Sequence, residues 1–232
     1  MLEVANCIVL DLETLHSADD CVYCGHPKGE CTTSPQVMPH KFVPIGWNDK
    51  NALGLSIGCY WDYRDARIHW FDDTSLESTV RQFVGREPLL VSFNGIGFDF
   101  ALMRALLRHR QEATAKTNVL CDQFKLLAAS SYDILAEIWA VDSKSKFVRG
   151  LNSLDAIARA NGLGAKLSEG AQAPRDWQDG KIAQVVEYNV DDVLKTKALF
   201  EIVCAGKPIL RGDGKPITLP VPPFLSKEVA NG

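Results

Sequence analysis

Apolar residues along this chain fall into short, nearly unbroken runs that alternate with stretches of helical period. The first run is "NCIVLDLETL", residues 6–15, whose β-branched and leucyl residues have the pattern of a strand covered on both faces. "ALGLSIGCYWDY" and "ARIHWFD" read as two further strands joined at Arg64-Asp65 in a hairpin. "TSLESTVRQFVG" sets Leu76, Val80, Phe83 and Val84 at helical spacing behind Thr/Ser caps, with Gly85 as the stop. "PLLVSFNG" is a fourth strand and "FDFALMRALLRHR" a second helix. "LNSLDAIARANGLG", closed by Gly162, and "KIAQVVEYNVDDVLKTKALFEIV" predict two more helices. "KPILRGDGKPITLPVP" carries extended arms around "GDG", a terminal hairpin whose prolines assign it to an edge. Strands alternating with helices predict an α/β fold. With 232 residues, 46% of them hydrophobic, residues 1–232 suffice for one domain with a single sizeable core.

Charge adds little to this picture. A formal net charge of −4 gives no global basic signal, so nucleic-acid binding would have to rest on local patches or bound cations. No stretch approaches the length of a membrane span, and "MLEVANCIVLD" lacks the basic n-region of a secretory signal. A cytoplasmic setting without a membrane partner is expected. Seven cysteines are an odd number for a disulfide framework, and a reducing compartment favours thiols or metal ligands.

The first run is interrupted by Asp11 and Glu13. Side chains at i and i+2 of a strand leave the same face, so the two carboxylates converge and repel. Pairing with Lys or Arg, or a frayed strand end, would relieve them. A hard divalent cation would do so as well, because it takes carboxylate oxygens and its charge cancels the repulsion. Further acids stand where they could join such a site. Asp99 follows "LLVSFNGIGF" at a helix start, where a negative charge also suits the helix dipole. Tyr188 and Asp192 are spaced i, i+4 and share one helix face.

Together, "DLET", "NGIGFD" and "YNVDDVL", in this order, resemble the three exonuclease motifs of the DEDD superfamily in its tyrosine-bearing branch. The likeness is to the 3′-5′ proofreading domains of family-B DNA polymerases and their stand-alone relatives. "YDIL" and "LNSLDAIARANGL" are similar to that family's connecting elements, so the resemblance extends over nearly the whole chain. It implies a ribonuclease H-like α/β fold, with a central mixed sheet flanked by helices, antiparallel first strands, and the strand at 7–13 in the middle. It implies metal binding by Asp11, Glu13, Asp99 and Asp192, with Asp191 a rival for the last place. The implied cofactors are two Mg²⁺ or Mn²⁺ ions, and the implied activity is two-metal hydrolysis of phosphodiester bonds at single-stranded DNA or RNA 3′ ends, DNA favoured. Tyr188 would orient the attacking water. Asn94 and Phe98 lie where the family contacts the terminal nucleotide, with core packing the other reading of Phe98. Arg104, Arg108, Arg110, Lys144, Lys146, Arg149 and Lys166 are available to phosphates or to solvent. A reading of another class makes the same fold a nucleic-acid-binding or protein-interaction module.

One stretch departs from the family pattern. In a Cys/His-rich insertion at about 16–41, Cys21, Cys24 and Cys31 precede His40. Three thiols and an imidazole suit a structural tetrahedral Zn²⁺, His26 competes with His40, and free thiols are the alternative. Cys7, Cys59, Cys121 and Cys204 stand in apolar contexts and read as small core residues.

Overall fold

In the computed structural model, residues 6–28, 42–113, 119–165, 167 and 172–222 are described. Strand β1 (Cys7–Thr14) is followed by a helical turn, α1 (Lys50–Leu53), and the hairpin β2 (Leu55–Asp62) and β3 (Arg67–Phe71). Helix α2 (Leu76–Arg86), β4 (Leu89–Ser92), α3 (Asp99–Ala113), α4 (Val119–Ala129), β5 (Tyr132–Asp133) and α5 (Ile134–Val141) come next. Helices α6 (Leu154–Ala160), α7 (Ala173–Gln178) and α8 (Ile182–Cys204) lead to the short strands β6 (Ile209–Leu210) and β7 (Pro216–Ile217).

The sheet order is β3-β2-β1-β4-β5, which puts β1 at the centre. Its partner β2 is antiparallel and β4 parallel, so the sheet is mixed, as expected of a ribonuclease H-like exonuclease fold. Alternation along β1 sends Cys7 and Val9 to one face, against Val193, Leu199, Phe200 and Val203 of α8. Ile8, Leu10 and Leu12 enter a second core on the other face, with Leu76, Val80 and Phe83 of α2, Leu102 and Met103 of α3, and Phe124 of α4. Gly58 sits opposite Leu12 in the ladder, and a Cβ there would lie 2.5 Å from Leu12 Cδ2 and 2.4 Å from Phe71 Cζ. That close approach lets the two large side chains meet over the strand.

Three sequence expectations change. Helix α2 does not stop at Gly85 but runs to Arg86, and Glu87 takes the left-handed cap (φ 51°), donating its amide to Phe83 O at 2.8 Å. The terminal hairpin pairs β6 with β7 as a separate two-stranded sheet instead of joining an edge of the main one. It is tied to α6 by Asn161, which donates to Leu210 O at 2.7 Å and accepts from Leu210 N at 2.9 Å. Helices α4, α5 and α7 extend the sequence-based set of elements. Gly162 does close α6: its φ is +73°, and Leu163 N returns to Ala158 O at 2.9 Å.

Candidate active site

The face of β1 that begins with Cys7 and Val9 continues as Asp11 and Glu13, so the strand is apolar at one end and doubly acidic at the other. Glu13 is buried and Asp11 half-buried. The bulge at Glu13/Thr14 ends the regular ladder just past the second acid. The charges are felt locally. The thiol of Cys59, paired with Asp11 across the ladder, is pushed up to about 12, first by burial and then by Asp11 and Glu13.

Helix α8 crosses this strand with a stripe that changes character at the same level. Toward its C-terminal end the stripe is Val193, Leu199, Phe200 and Val203; toward its start it presents buried Tyr188, Asn189 and Asp192. Ligand oxygens of Asp11, Glu13 and Asp192 all lie within 4.8 Å of one another. Asn189 donates to Asp11 Oδ2 at 2.8 Å. The hydroxyl of Tyr188 accepts from the side-chain amide of Gln184, one turn earlier. Asp191, the rival acid, is committed elsewhere: it pairs with Lys195, a buried cation that also donates to Ala165 O at 2.7 Å.

Asp99 opens α3 beside this cluster, at 3% exposure. Its carboxyl is pushed up to about 7, chiefly by burial and by the neighbouring Asp133 carboxylate. Opposing this are hydrogen bonds from its own backbone and that of Leu12, which lies between Asp11 and Glu13, and the charge of Lys50. The loop leading into α3 is held by Asp133, which accepts from Asn94 N (2.9 Å) and Ile96 N (2.9 Å) while capping α5 through Leu135 N (3.0 Å) and Ala136 N (3.2 Å). Asn94 is exposed at φ 71°, and Phe98 is half-buried. Phe98 packs edge-on against Trp47 at 5.9 Å between ring centroids, with Lys50 Nζ 4.0 Å above its ring.

Asp11, Glu13 and Asp192 form a hard-oxygen donor set that fits divalent cations such as Mg²⁺ or Mn²⁺, with Asp99 adjoining it through the Leu12 backbone. Among the described residues one other group, Asp62, Asp65 and His69, has its ligand atoms equally close. There Arg86 pairs with Asp62, and His69 Nε2 is hydrogen-bonded to Asp65 Oδ2 at 2.9 Å. Sequence reading missed Gln184, Asn189, Asp133, Trp47 and Lys50. For Asn189 a signal existed: it stands three residues before Asp192, on the same side of the helix as that acid.

Of the basic candidates, Arg110 pairs with Asp73, Lys146 lies over Trp139 at 5.0 Å, and Arg108, Lys144 and Arg149 are exposed. Cys21 and Cys24 occupy a tight hairpin closed by an Asp20–Pro27 bridge, with Cys21 N donating to His26 O and Gly25 N to Cys21 O, both at 2.8 Å. Cys31, His40 and Lys166 lie outside the described residues. Cys7, Cys59, Cys121 and Cys204 are buried. No described helix is long and apolar enough to cross a membrane.

A family model described as a predicted 3′-5′ exonuclease related to the exonuclease domain of PolB matches residues 69–206, more than half of the chain. The match takes in Asp99, Tyr188 and Asp192 and begins after β1, so Asp11 and Glu13 join the site by geometry alone. No curated protein matches the chain.

Proposed function

This chain belongs to the family of predicted 3′-5′ exonucleases related to the exonuclease domain of PolB, and we propose that it removes nucleotides one at a time from single-stranded 3′ ends. DNA is the favoured substrate and RNA the alternative. In this reading the chain falls in the tyrosine-bearing DEDD branch, with residues 1–232 as one exonuclease domain that includes the insertion at about 16–41. The observation that carries the reading is the convergence of Asp11, Glu13 and Asp192 within 4.8 Å, on a strand and a helix far apart in sequence.

Asp11, Glu13, Asp99 and Asp192 would hold two divalent cations, which supply Lewis acidity at the scissile phosphate and a water acidic enough to attack near neutral pH. The protein's own contribution is position. Asn189 fixes the rotamer of Asp11 through its amide. Tyr188, whose oxygen is engaged by Gln184, keeps its own O–H to orient the attacking water. The water oxygen bonds to phosphorus as the bond to the 3′ oxygen breaks, releasing a nucleoside 5′-monophosphate and leaving a new 3′ hydroxyl. Asn94 and Phe98, in the loop pinned by Asp133, face the terminal nucleotide in this reading.

The test is digestion of 5′-labelled and 3′-labelled single- and double-stranded DNA and RNA. A ladder of shortening 5′-labelled products, with mononucleotide released at once from the 3′ label and both abolished by EDTA, is the expected result. Internal fragments, or no product from any substrate with Mg²⁺ or Mn²⁺, would overturn the reading.

A further inference from the structure

Trp47 has no place in the core. The residue is 61% exposed, and Ile96, in the loop before α3, is 52% exposed. Trp47 meets Phe98 edge-on, Ile96 precedes Phe98 by two residues, and Phe98 is the residue immediately before Asp99. The tryptophan's backbone is nevertheless anchored. Its carbonyl accepts from Lys50 Nζ at 2.7 Å, Asp49 caps α1 by accepting from Ala52 N at 3.0 Å, and Leu53 at the end of α1 is fully buried. Lys50 stands over Phe98, close enough to Asp99 that each feels the other's charge. The result is a fixed aromatic surface with one cation at its edge, adjoining the acids.

We propose that Trp47, with Phe98 and Lys50, forms a stacking platform for the terminal bases of an unpaired strand, and that this platform makes the enzyme demand a 3′ end that is both unpaired and base-bearing. The inference rests on the exonuclease reading above and names what the same site selects. A polyanion approaching a cluster of carboxylates needs a positive charge beside it, which Lys50, close to Asp99, supplies. A base offers a flat apolar face of a size to cover the exposed indole, and stacking tolerates every base because each has a π-face. In a duplex the terminal bases are held by their partners, so reaching Trp47 requires unpairing first. Trp47 and Lys50 come from the segment just after the insertion and before the residues matched by the family model.

The test compares wild type, Trp47→Ala, Trp47→Phe and Lys50→Met on 5′-labelled single strands ending in thymidine or in an abasic tetrahydrofuran residue. Wild type should show a KM about tenfold lower for the base-bearing end. Trp47→Ala should raise that KM about tenfold while kcat falls less than threefold, and should erase the preference over the abasic end. Trp47→Phe should restore most of it. Lys50→Met should raise KM on both ends and reduce the slope of log KM against log salt by about one phosphate contact's share. An unchanged base-to-abasic KM ratio in Trp47→Ala overturns the proposal. Anisotropy of a fluorescein-labelled oligothymidine with the EDTA-treated proteins separates the two readings: if no variant cleaves, the exonuclease reading falls. Tighter binding by wild type than by Trp47→Ala then still supports the platform, and equal binding removes it.

Discussion

Asn189 and Asp11 are 178 positions apart in sequence and joined by a 2.8 Å hydrogen bond from the amide of one to the carboxylate of the other. Asn189 is fully buried and Asp11 half-buried, and the bond fixes how Asp11 faces Glu13 and Asp192. Asn189→Ala should lower activity roughly 10- to 100-fold, as loss of a group that orients a metal ligand does, and should raise the Mg²⁺ concentration needed for half-maximal rate. A Mg²⁺ titration of digestion rate checks this. An unchanged titration curve would show that Asp11 needs no such support.

Removing a carboxylate should separate activity from stability. Asp192→Asn should reduce cleavage to background under saturating Mg²⁺, because a cation ligand is lost, while the metal-free fold is relieved of like-charge repulsion among Asp11, Glu13 and Asp192. Thermal melts in EDTA should therefore place the variant at or above wild type. Near-normal turnover by the variant would sink the metal assignment.

Tyr188→Phe should slow hydrolysis by roughly one to three orders of magnitude, within or somewhat below the range for a positioned acid-base or orienting group. Substrate affinity measured in EDTA should barely move. The Gln184 amide that engages the hydroxyl should matter less, so Gln184→Ala is expected to fall between Tyr188→Phe and wild type in single-turnover rate.

The insertion is expected to hold zinc through Cys21, Cys24, Cys31 and His40, with His26 as the alternative fourth ligand. Cys21 and Cys24 already stand in a closed hairpin. Apparent binding energy on the order of 10 kcal/mol would offset ordering most of a polar, proline-bearing segment. Elemental analysis of protein purified without added metal should give about one zinc per chain, and Cys24→Ser should release it. Less than a tenth of an equivalent in wild type would leave free thiols.

The acids were legible before the fold was, because a carboxylate pair on a buried run violates the ordinary hydrophobic pattern and so announces itself. The sheet followed from its apolar runs, since β1, β2 and β4 are buried along most of their length. Helix α4 gave no clear period: "VLCDQFKLLAA" carries apolar residues around much of its circumference, and Leu126 is 72% exposed. Helix α7, at six residues, is shorter than two turns and offers no pattern to read. The end of α2 was misplaced because glycine is the usual left-handed residue, while Glu87 accepts that strain to keep one more residue in the helix. Trp47 and Lys50 were invisible for a different reason. Their partner Phe98 lies far along the chain, and only the packing of α1 on α3 brings them to it.

Asp133 serves four backbone amides with two oxygens, two from the approach to α3 and two from the start of α5. No neutral isostere can stand in for it. Asparagine has one acceptor oxygen, and its NH₂ would confront either Ile96 N–H or the three amides gathered on Oδ1. The residue is thus a junction whose negative charge cannot be edited away, although that same charge burdens Asp99 next door. The chain tolerates an uncomfortable fifth carboxylate beside its acidic centre because that carboxylate ties the loop that delivers the fourth to the start of α5.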